Sequence, residues 1–297
     1  MSSKAWGAFA ALCVIWGIPY FLIKVAVVEV APLLIAWCRV VLAAGVLLPL
    51  AWKRGALGVL RGHMAALCAF ALAEFAIPFA MISWGEQWIG SSVTGILIAT
   101  VPLWVVLLAR PFGVHEPLGM RRVIGLVLGF SGVVALLGFG MVPGPWGWAG
   151  VGCTLIAALC YAVGPLIIQR HLGHLDAVGP LVVCLGVAAL LLTLPAMREL
   201  PAHWPSGAAL ASLAVLGLLC TAIAMLLMFY LVNHAGAARA SLITYINPAV
   251  ASLLGIGLLH ERLGAGGVAG FAMVLTGSWL ASRGAGGRRE AQLAAER

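Results

Sequence analysis

The sequence predicts an all-α membrane protein of ten transmembrane helices, formed by two inverted five-helix repeats around a central cavity. The composition, the succession of apolar runs and a phrase that recurs in both halves support this fold class. Of the 297 residues, 63% are hydrophobic and only 9% are charged, and the mean hydropathy is +1.11. A water-soluble domain cannot bury so much apolar surface, because its outer layer faces water.

Apolar runs of about 20 residues, the length that crosses a bilayer core, follow one another along the whole chain. Because backbone groups in lipid must be satisfied internally and no run alternates like a barrel strand, the spans are predicted to be helices. The breaks between them are too short for a soluble domain, so residues 1–297 form one membrane domain. Repeat one covers residues 1–145 and repeat two covers residues 146–297. The predicted spans are residues 6–28, 32–52, 64–84, 90–109, 121–139, 147–169, 177–197, 206–233, 238–259 and 266–282.

The first run differs from a signal peptide. It is longer than the ~7–15 apolar residues of a signal sequence, and no small-residue cleavage site leads into a polar mature domain. We therefore expect it to remain as span 1.

The basic residues predict the orientation of the spans. With a cytoplasmic N-terminus, 13 of the 17 lysine and arginine residues fall on the inner side, and only Arg198 and Arg262 fall on the outer side. Cytoplasmic loops carry such an excess of positive charge. This predicts a multi-pass protein of the bacterial inner (plasma) membrane with both termini in the cytoplasm. Topology and anionic lipid headgroups account for the net charge of +8, so membrane lipids are expected partners and nucleic acid is not.

The residues that could carry chemistry are not arranged as in an enzyme. All seven cysteines lie inside apolar runs without metal-ligand spacing, which favours a packing role, and no metal or cofactor is expected. The seven histidines fall in loops or at span ends, without a nucleophile and base at compatible depth. A P-loop phrase and a channel filter signature are both absent from the sequence.

A short phrase occurs once in each half of the chain. "GVHEPLGMRRVIG" at 113–125 and "LLHERLGAGGVAG" at 258–270 align at an offset of 145, and "AALC" occurs at both 10–13 and 157–160. Pro102 likewise corresponds to Pro248 at an offset of 146. The chain is therefore an internal duplication of five spans. Because five is odd, the second copy enters the membrane from the opposite side, an arrangement typical of secondary transporters.

These features resemble the EamA group of the drug/metabolite transporter superfamily. The resemblance covers essentially the whole chain. It rests on the duplicated pattern of ten spans and on the phrases "IWG" (15–17), "PFAMISWGEQ" (78–87), "HEPLG" (115–119) and "INPAVASLLGIGLLHERLG" (246–264). It implies a basket of ten helices with a central cavity lined mainly by spans 1, 3, 4, 6, 8 and 9. Spans 5 and 10 would form a supporting pair that can also contact a second copy in a homodimer. The family members are exporters of amino acids and related metabolites.

Helix breakers near the middle of the spans mark candidate hinges. Gly17 and Pro19 are expected to interrupt span 1, and Gly164 with Pro165 to interrupt span 6. Each proline frees a carbonyl one turn back, which a transporter can point into a cavity, although a packing kink is the alternative. The hinge candidates are Gly17, Pro19, Pro102, Pro165 and Pro248.

Glu74 is the most informative candidate for substrate binding. A carboxylate at the centre of a span costs about 2.5–3.5 kcal/mol, so it must face water, a partner or a substrate. Substrate ammonium binding, proton transfer and pairing with Arg39 remain open as its role. The other candidate contacts are aromatic, adaptable or polar residues at mid-span: Trp16, Tyr20, Phe75, Pro78, Phe79, Tyr161, Met225, Phe229, Tyr245 and Asn247. Lys24 is expected to snorkel, and Glu86 and Gln87 are expected to be solvated or gating at the outer mouth.

The inverted duplication predicts a secondary transporter that works by alternating access of a central cavity, and the resemblance implies that it exports amino acids or related small metabolites. The alternative is efflux of drugs or lipophilic cations, for which Glu74 and the aromatic side chains are also suitable. Proton coupling and facilitated diffusion both remain open.

Overall fold

The computed structural model describes residues 2–57, 62–108, 119–138, 144–172, 175, 178–235 and 243–282. Every regular element in these ranges is helical. In chain order the helices are Ser3–Ile15, Ile18–Ala26, Pro32–Lys53, Met64–Ala71, Leu72–Ala76, Ile77–Gly85, Ser91–Ile98, Val101–Leu108, Met120–Gly138, Gly144–Ile167, Ile168–Leu172, Val178–Met197, Gly207–Gly217, Leu218–Ile223, Ala224–Ala235, Ile243–Leu259 and Ala265–Ser282.

These segments group into ten spans. Eight are long and apolar enough to cross a membrane, and two shorter apolar helices, Ile243–Leu259 and Ala265–Ser282, are spans 9 and 10. The predicted start of span 9, at 238, lies outside the described residues. The prediction of a ten-helix, all-α membrane protein is confirmed. Large aliphatic side chains remain exposed on the outside of the bundle, as expected of a surface in contact with lipid: Val46, Leu190, Leu194 and Leu253 are examples.

Two spans contain a break in their α-helix. Span 1 stops at Ile15 and resumes at Ile18, so the expected interruption at Gly17 is present. Span 4 breaks between Ile98 and Val101, and Pro102 lies in the first turn of the second segment, where its missing N–H is tolerated.

The expected interruption of span 6 at Gly164 and Pro165 is not observed, because a single α-helix runs from Gly144 to Ile167. Span 9 likewise continues through Pro248. A proline in a membrane helix does not by itself end the helix, since neighbouring groups can satisfy the freed backbone.

Spans 3 and 8 each contain a π-helical segment at the same place in the repeat. These segments are Leu72–Ala76 and Leu218–Ile223, and their first residues differ by the repeat offset of 146. A π segment inserts an extra residue into the helix and occurs frequently at functional sites. Here it contains Glu74 in one half and Thr221 in the other.

Spans 5 and 10 meet through glycines placed symmetrically in the two repeats. A Cβ on Gly125 would lie 2.7 Å from the carbonyl oxygen of Gly277, and one on Gly132 would lie 2.8 Å from that of Gly270. The residue number falls on one helix as it rises on the other, so the two helices are antiparallel. Since Gly125 corresponds to Gly270 and Gly132 to Gly277, the contact maps onto itself when the repeats are exchanged. Two equivalent helices that run in opposite directions are what an inverted repeat requires.

Contacts between distant loops agree with this arrangement. Glu29, after span 1, accepts hydrogen bonds from the amide and hydroxyl of Ser206 before span 8, both at 2.6 Å. These bonds hold the pKa of Glu29 below its ordinary value. Glu261, after span 9, likewise contacts Ser91 at the start of span 4. Each pair joins loops that an alternating path of ten spans places on the same face.

The close contact between the glycines of spans 5 and 10 predicts that adding one methyl group there will destabilise the protein. In Gly277→Ala the new Cβ overlaps the backbone of Gly125 and Gly129, and such overpacking costs about 1–3 kcal/mol. We expect a lower thermal unfolding midpoint in detergent. Gly138→Ala is the matched control, because its Cβ meets nothing within 4 Å. Equal midpoints for the two variants would contradict the close contact of spans 5 and 10.

Candidate functional site

Arg39 connects span 2 to the π segment of span 8. Its side chain is 6% exposed, and its Nε donates to the hydroxyl of Thr221 at 2.8 Å. That hydroxyl donates in turn to the carbonyl of Leu216 at 2.8 Å. The Nη groups donate to no described residue, although a guanidinium has five N–H donors. Arg39 therefore presents a fixed positive charge with unused donors inside the bundle.

A row of aromatic side chains on span 3 packs against the guanidinium of Arg39. The guanidinium carbon lies 3.7 Å from the centroid of the Phe79 ring, a distance suited to a cation–π contact. Phe79 packs edge to face with Phe75, whose ring contacts Phe70 in the same way. Phe75 is fully buried, and Pro78 and Phe79 are also buried. In this conformation these three candidates are packed in the bundle, and the face of Phe79 contacts the guanidinium of Arg39.

Glu74 approaches span 6 at a glycine. A Cβ on Gly164 would overlap its Oε2 atom and lie 3.4 Å from the ring of Phe70. Gly164 thus leaves room for the carboxylate, a packing role that the sequence interpretation as a helix breaker missed. Glu74 is half-buried and accepts no hydrogen bond from the described residues. It forms no ion pair with Arg39, so the structural pair considered from the sequence is absent in this structure.

The remaining mid-span candidates differ in exposure. Tyr161 lies within electrostatic range of both Arg39 and Glu74. Tyr20 of span 1 is 7% exposed. Its ring packs toward Gly95 of span 4, where span 4 also faces span 9. The half-buried candidates, which retain some accessible surface, are Trp16, Glu74, Tyr161, Met225, Phe229, Tyr245 and Asn247.

Asn247 is used to satisfy the break in span 1. The amide of Gly17 donates to Val14, which leaves the carbonyl of Cys13 without its usual helical donor. With the amide group assigned from the hydrogen-bond network, Asn247 donates to Cys13 and to Ile243, each at 3.1 Å. A predicted substrate contact therefore joins two helices.

The break in span 4 is satisfied in the same manner. The hydroxyl of Ser278 in span 10 donates to the carbonyl of Ala99 at 2.9 Å. Tyr245 of span 9 donates to the backbone carbonyl of Ser278 at 3.1 Å. The hydroxyl of Tyr245 therefore contacts span 10, and it connects the helices around the break.

A second polar cluster lies at the C-terminal end of span 3. Lys24 donates from Nζ to the carbonyls of Glu86 at 2.5 Å and Ile89 at 2.8 Å, so it caps a helix C-terminus and does not snorkel. Glu86 is 0% exposed, and the expectation that it is solvated is wrong. Gln87, the next residue, is exposed.

The repeated phrase in the second half has a structural role. Oε1 of Glu261 accepts from the amide and hydroxyl of Ser91, at 2.7 and 2.9 Å, and Oε2 accepts from the amide of Ser92 at 2.9 Å. A carboxylate at these unpaired amides satisfies them and interacts favourably with the helix dipole. Glu261 thus caps span 4 from the end of span 9. Its counterpart Glu116 lies outside the described residues.

The structure adds three groups of interacting residues that were not among the predicted site residues: Arg39 with Thr221, Lys24 with Glu86, and Glu261 with Ser91 and Ser92. A charge inside an apolar run was the available signal for Arg39. No group of three or more histidine, cysteine, aspartate or glutamate residues able to hold a metal occurs in the described part of the chain.

Comparison with known proteins bears on the whole chain. The model of the EamA-like transporter family matches residues 5–138 and 148–283, one segment in each half. An uncharacterized inner membrane transporter of Escherichia coli strain K12, YedA, is 32% identical over 91% of this chain and 89% of its own length. The uncharacterized transporter YoaV of Bacillus subtilis is 24% identical over 90% and 92%. A protein of known crystal structure shares the fold, with a TM-score of 0.67 over 98% of this chain at 20% identity.

The cap on span 4 predicts the behaviour of Glu261→Gln. The amide keeps one acceptor oxygen, places an NH₂ group against an N–H donor and removes the charge, which costs about 1–3 kcal/mol. The expected result is a lower thermal unfolding midpoint in detergent. Glu199→Gln, at an exposed side chain, serves as the control and should unfold like the parent protein. If both variants keep the parent midpoint, the cap does not stabilise the helix.

Proposed function

Since the chain belongs to the EamA-like transporter family, we propose that it exports amino acids or related small zwitterions by alternating access. The matches to transporters identify it as a transporter of the inner membrane with several spans, and not as an enzyme. The substrate class, the direction of transport and the cytoplasmic location of both termini are parts of the proposal.

The substrate class is inferred from two opposite charges, Arg39 and Glu74, that form no ion pair with each other. Arg39 has unused Nη donors, and Glu74 has unused acceptors, inside a bundle with few charges. Both act on Tyr161, which lies within electrostatic range of each. A zwitterion carries a carboxylate for the first and an ammonium for the second. Charge-assisted hydrogen bonds of this kind are about twice as strong as neutral ones.

The apolar part of the substrate requires a different environment. Met225 and Phe229 are half-buried beside the apolar core that surrounds Arg39. Methionine adapts its shape to varied apolar groups, and Trp16 of span 1 adds an aromatic surface. This combination suits amino acids with apolar side chains.

Efflux of lipophilic cations is the second candidate. The unpaired carboxylate of Glu74 and the aromatic residues near it favour a cation. The guanidinium of Arg39 opposes it, because a like charge in a medium of low dielectric is strongly unfavourable. The zwitterion is therefore the substrate class that uses both charges.

Alternating access is supported by the symmetry of the fold. The antiparallel contact of spans 5 and 10 relates the two halves by a pseudo-twofold axis, so each half can take the place of the other in an inward-facing and an outward-facing state. The hinge roles of Gly17, Pro19, Pro102, Pro165 and Pro248, and a homodimer through spans 5 and 10, remain predictions.

Proteoliposomes that contain the purified protein test the substrate class with labelled leucine and labelled tetraphenylphosphonium. We expect leucine flux and no cation flux. In Arg39→Lys and Glu74→Gln the KM for leucine should rise about ten- to a hundredfold, the effect of losing a charge-assisted hydrogen bond.

The controls are Arg198→Lys and Glu199→Gln, which make the same changes at exposed side chains and should leave leucine flux unchanged. Cation flux that Glu74→Gln abolishes, without leucine flux in the parent protein, would support the second candidate and contradict the first.

A further inference from the structure

Glu86 is a buried carboxyl group without a hydrogen-bond partner. It follows the last residue of Ile77–Gly85, and its side chain is 0% exposed. Both carboxylate oxygens are closed off from solvent and accept no hydrogen bond from the residues that the structure describes. Native proteins rarely bury a polar group in this way, and such a group calls for an explanation.

The three charged groups around Glu86 make their hydrogen bonds to other partners. Lys24 of span 1 uses its ammonium on two backbone carbonyls, and Glu261 accepts from the serines of span 4. Arg39 of span 2 donates to Thr221, and Tyr20 of span 1 lies within electrostatic range. Of these groups, none donates a hydrogen bond to the Glu86 carboxylate.

The hydroxyl of Thr94 in span 4 is near Glu86, but it has another hydrogen-bond partner. Thr94 donates to the carbonyl of Gly90 at 3.1 Å. A carboxylate that lacks donors and water is much less stable when charged than when neutral. Lys24 and Arg39 favour the charged form through space, whereas burial and the nearby carboxylate of Glu261 favour the neutral form.

A proton suits this position better than a metal cation. A metal ion needs several oxygen ligands, and Glu261, the second carboxylate nearby, already accepts three hydrogen bonds. The ammonium of Lys24 would repel a second cation. A proton needs one carboxylate oxygen and no further ligand.

The surrounding contacts close this position from the outer side. Lys24 holds span 1 to the end of span 3, and Glu261 holds the end of span 9 to the start of span 4. Both contacts must part if the outer ends of these spans separate during alternating access. Glu86 also lies 12 residues after Glu74 on span 3, about 18 Å along a helix, so a movement of this span affects both groups.

We propose that Glu86 is a proton-binding site, neutral while the outer contacts of Lys24 and Glu261 are closed and in exchange with outer water when they part. The carboxylate takes one proton from hydronium in outer water, so that an O–H bond forms on Glu86 and a water molecule remains. On release this O–H bond breaks and an outer water molecule accepts the proton. This inference rests on the proposed transport cycle and gives that cycle a group whose protonation accompanies the closing of the outer contacts.

Infrared difference spectroscopy of the purified protein in lipid tests the protonation without any transported substrate. At neutral pH the parent protein should show the C=O stretch of a buried carboxylic acid, which Glu86→Gln lacks and the exposed control Glu199→Gln retains. Glu86→Asp, which keeps the carboxyl group, should shift this band. A spectrum of Glu86→Gln that matches the parent, or a parent band that disappears when sodium is added at constant pH, would overturn the proposal.

Transfer into D₂O tests the link to the outer contacts. The band of the parent protein should shift slowly as its O–H exchanges, and the shift should be about tenfold faster or more in Lys24→Met, which loses the contact with span 3. Equal exchange rates would contradict the closing role of Lys24. Because neither measurement depends on flux, a negative result here leaves leucine transport to be judged separately.

Discussion

The absence of water in the hydrocarbon core is the constraint on which this structure depends. Each interruption of a membrane helix frees backbone groups, and each freed group must find a partner inside the protein. The break in span 1 is satisfied by Asn247 of span 9, and the break in span 4 by Ser278 of span 10. Both donors come from the second repeat. These two breaks in the described helices therefore lie where the two halves meet, which is where secondary transporters have their binding sites.

The same constraint governs the few charges, which lie at two levels along span 3. Near the middle, Glu74 and Arg39 have free hydrogen-bonding capacity and do not pair. At the C-terminal end of span 3, Lys24 and Glu261 have their capacity filled by groups of spans 3 and 4, while Glu86 is buried near them. In the proposed cycle, the middle level binds the substrate and the level at the end of span 3 closes. Span 3 connects the two levels.

Much of the fold could be predicted from the sequence, because hydropathy and the parity of a five-span duplication are properties of the chain itself. Glycine roles were harder. Gly17 lies at an interruption of its span and also makes room for Val250 of span 9, whereas Gly164, at the matching place in the second repeat, lies inside a continuous helix and makes room for Glu74. The sequence does not distinguish a glycine that interrupts a helix from one that makes room for a neighbour, because this depends on which residues of other spans pack against it.

The polar site was less predictable for the same reason. Asn247 and Glu261 have partners in distant spans, and residue 261 lies 170 positions from Ser91. Sequence spacing contains no information on such pairs. Glu86 lies at the end of its span and was expected to meet water, yet the packing of spans 1, 3 and 4 with the end of span 9 encloses it.

The central claim is that the two repeats cross the membrane in opposite directions, so that the loops joined by Glu261 and Ser91 lie on one face. The side of the membrane on which each loop lies can be measured with single cysteines. The seven native cysteines are first replaced, and intact cells are then treated with a membrane-impermeant thiol reagent. Cysteines at the exposed positions Gln87 and Arg262 should be labelled from outside, and those at Lys53 and Arg121 should be labelled only after the cells are opened. Labelling of residues 87 and 262 from opposite sides would contradict the inverted repeat and, with it, the carrier mechanism.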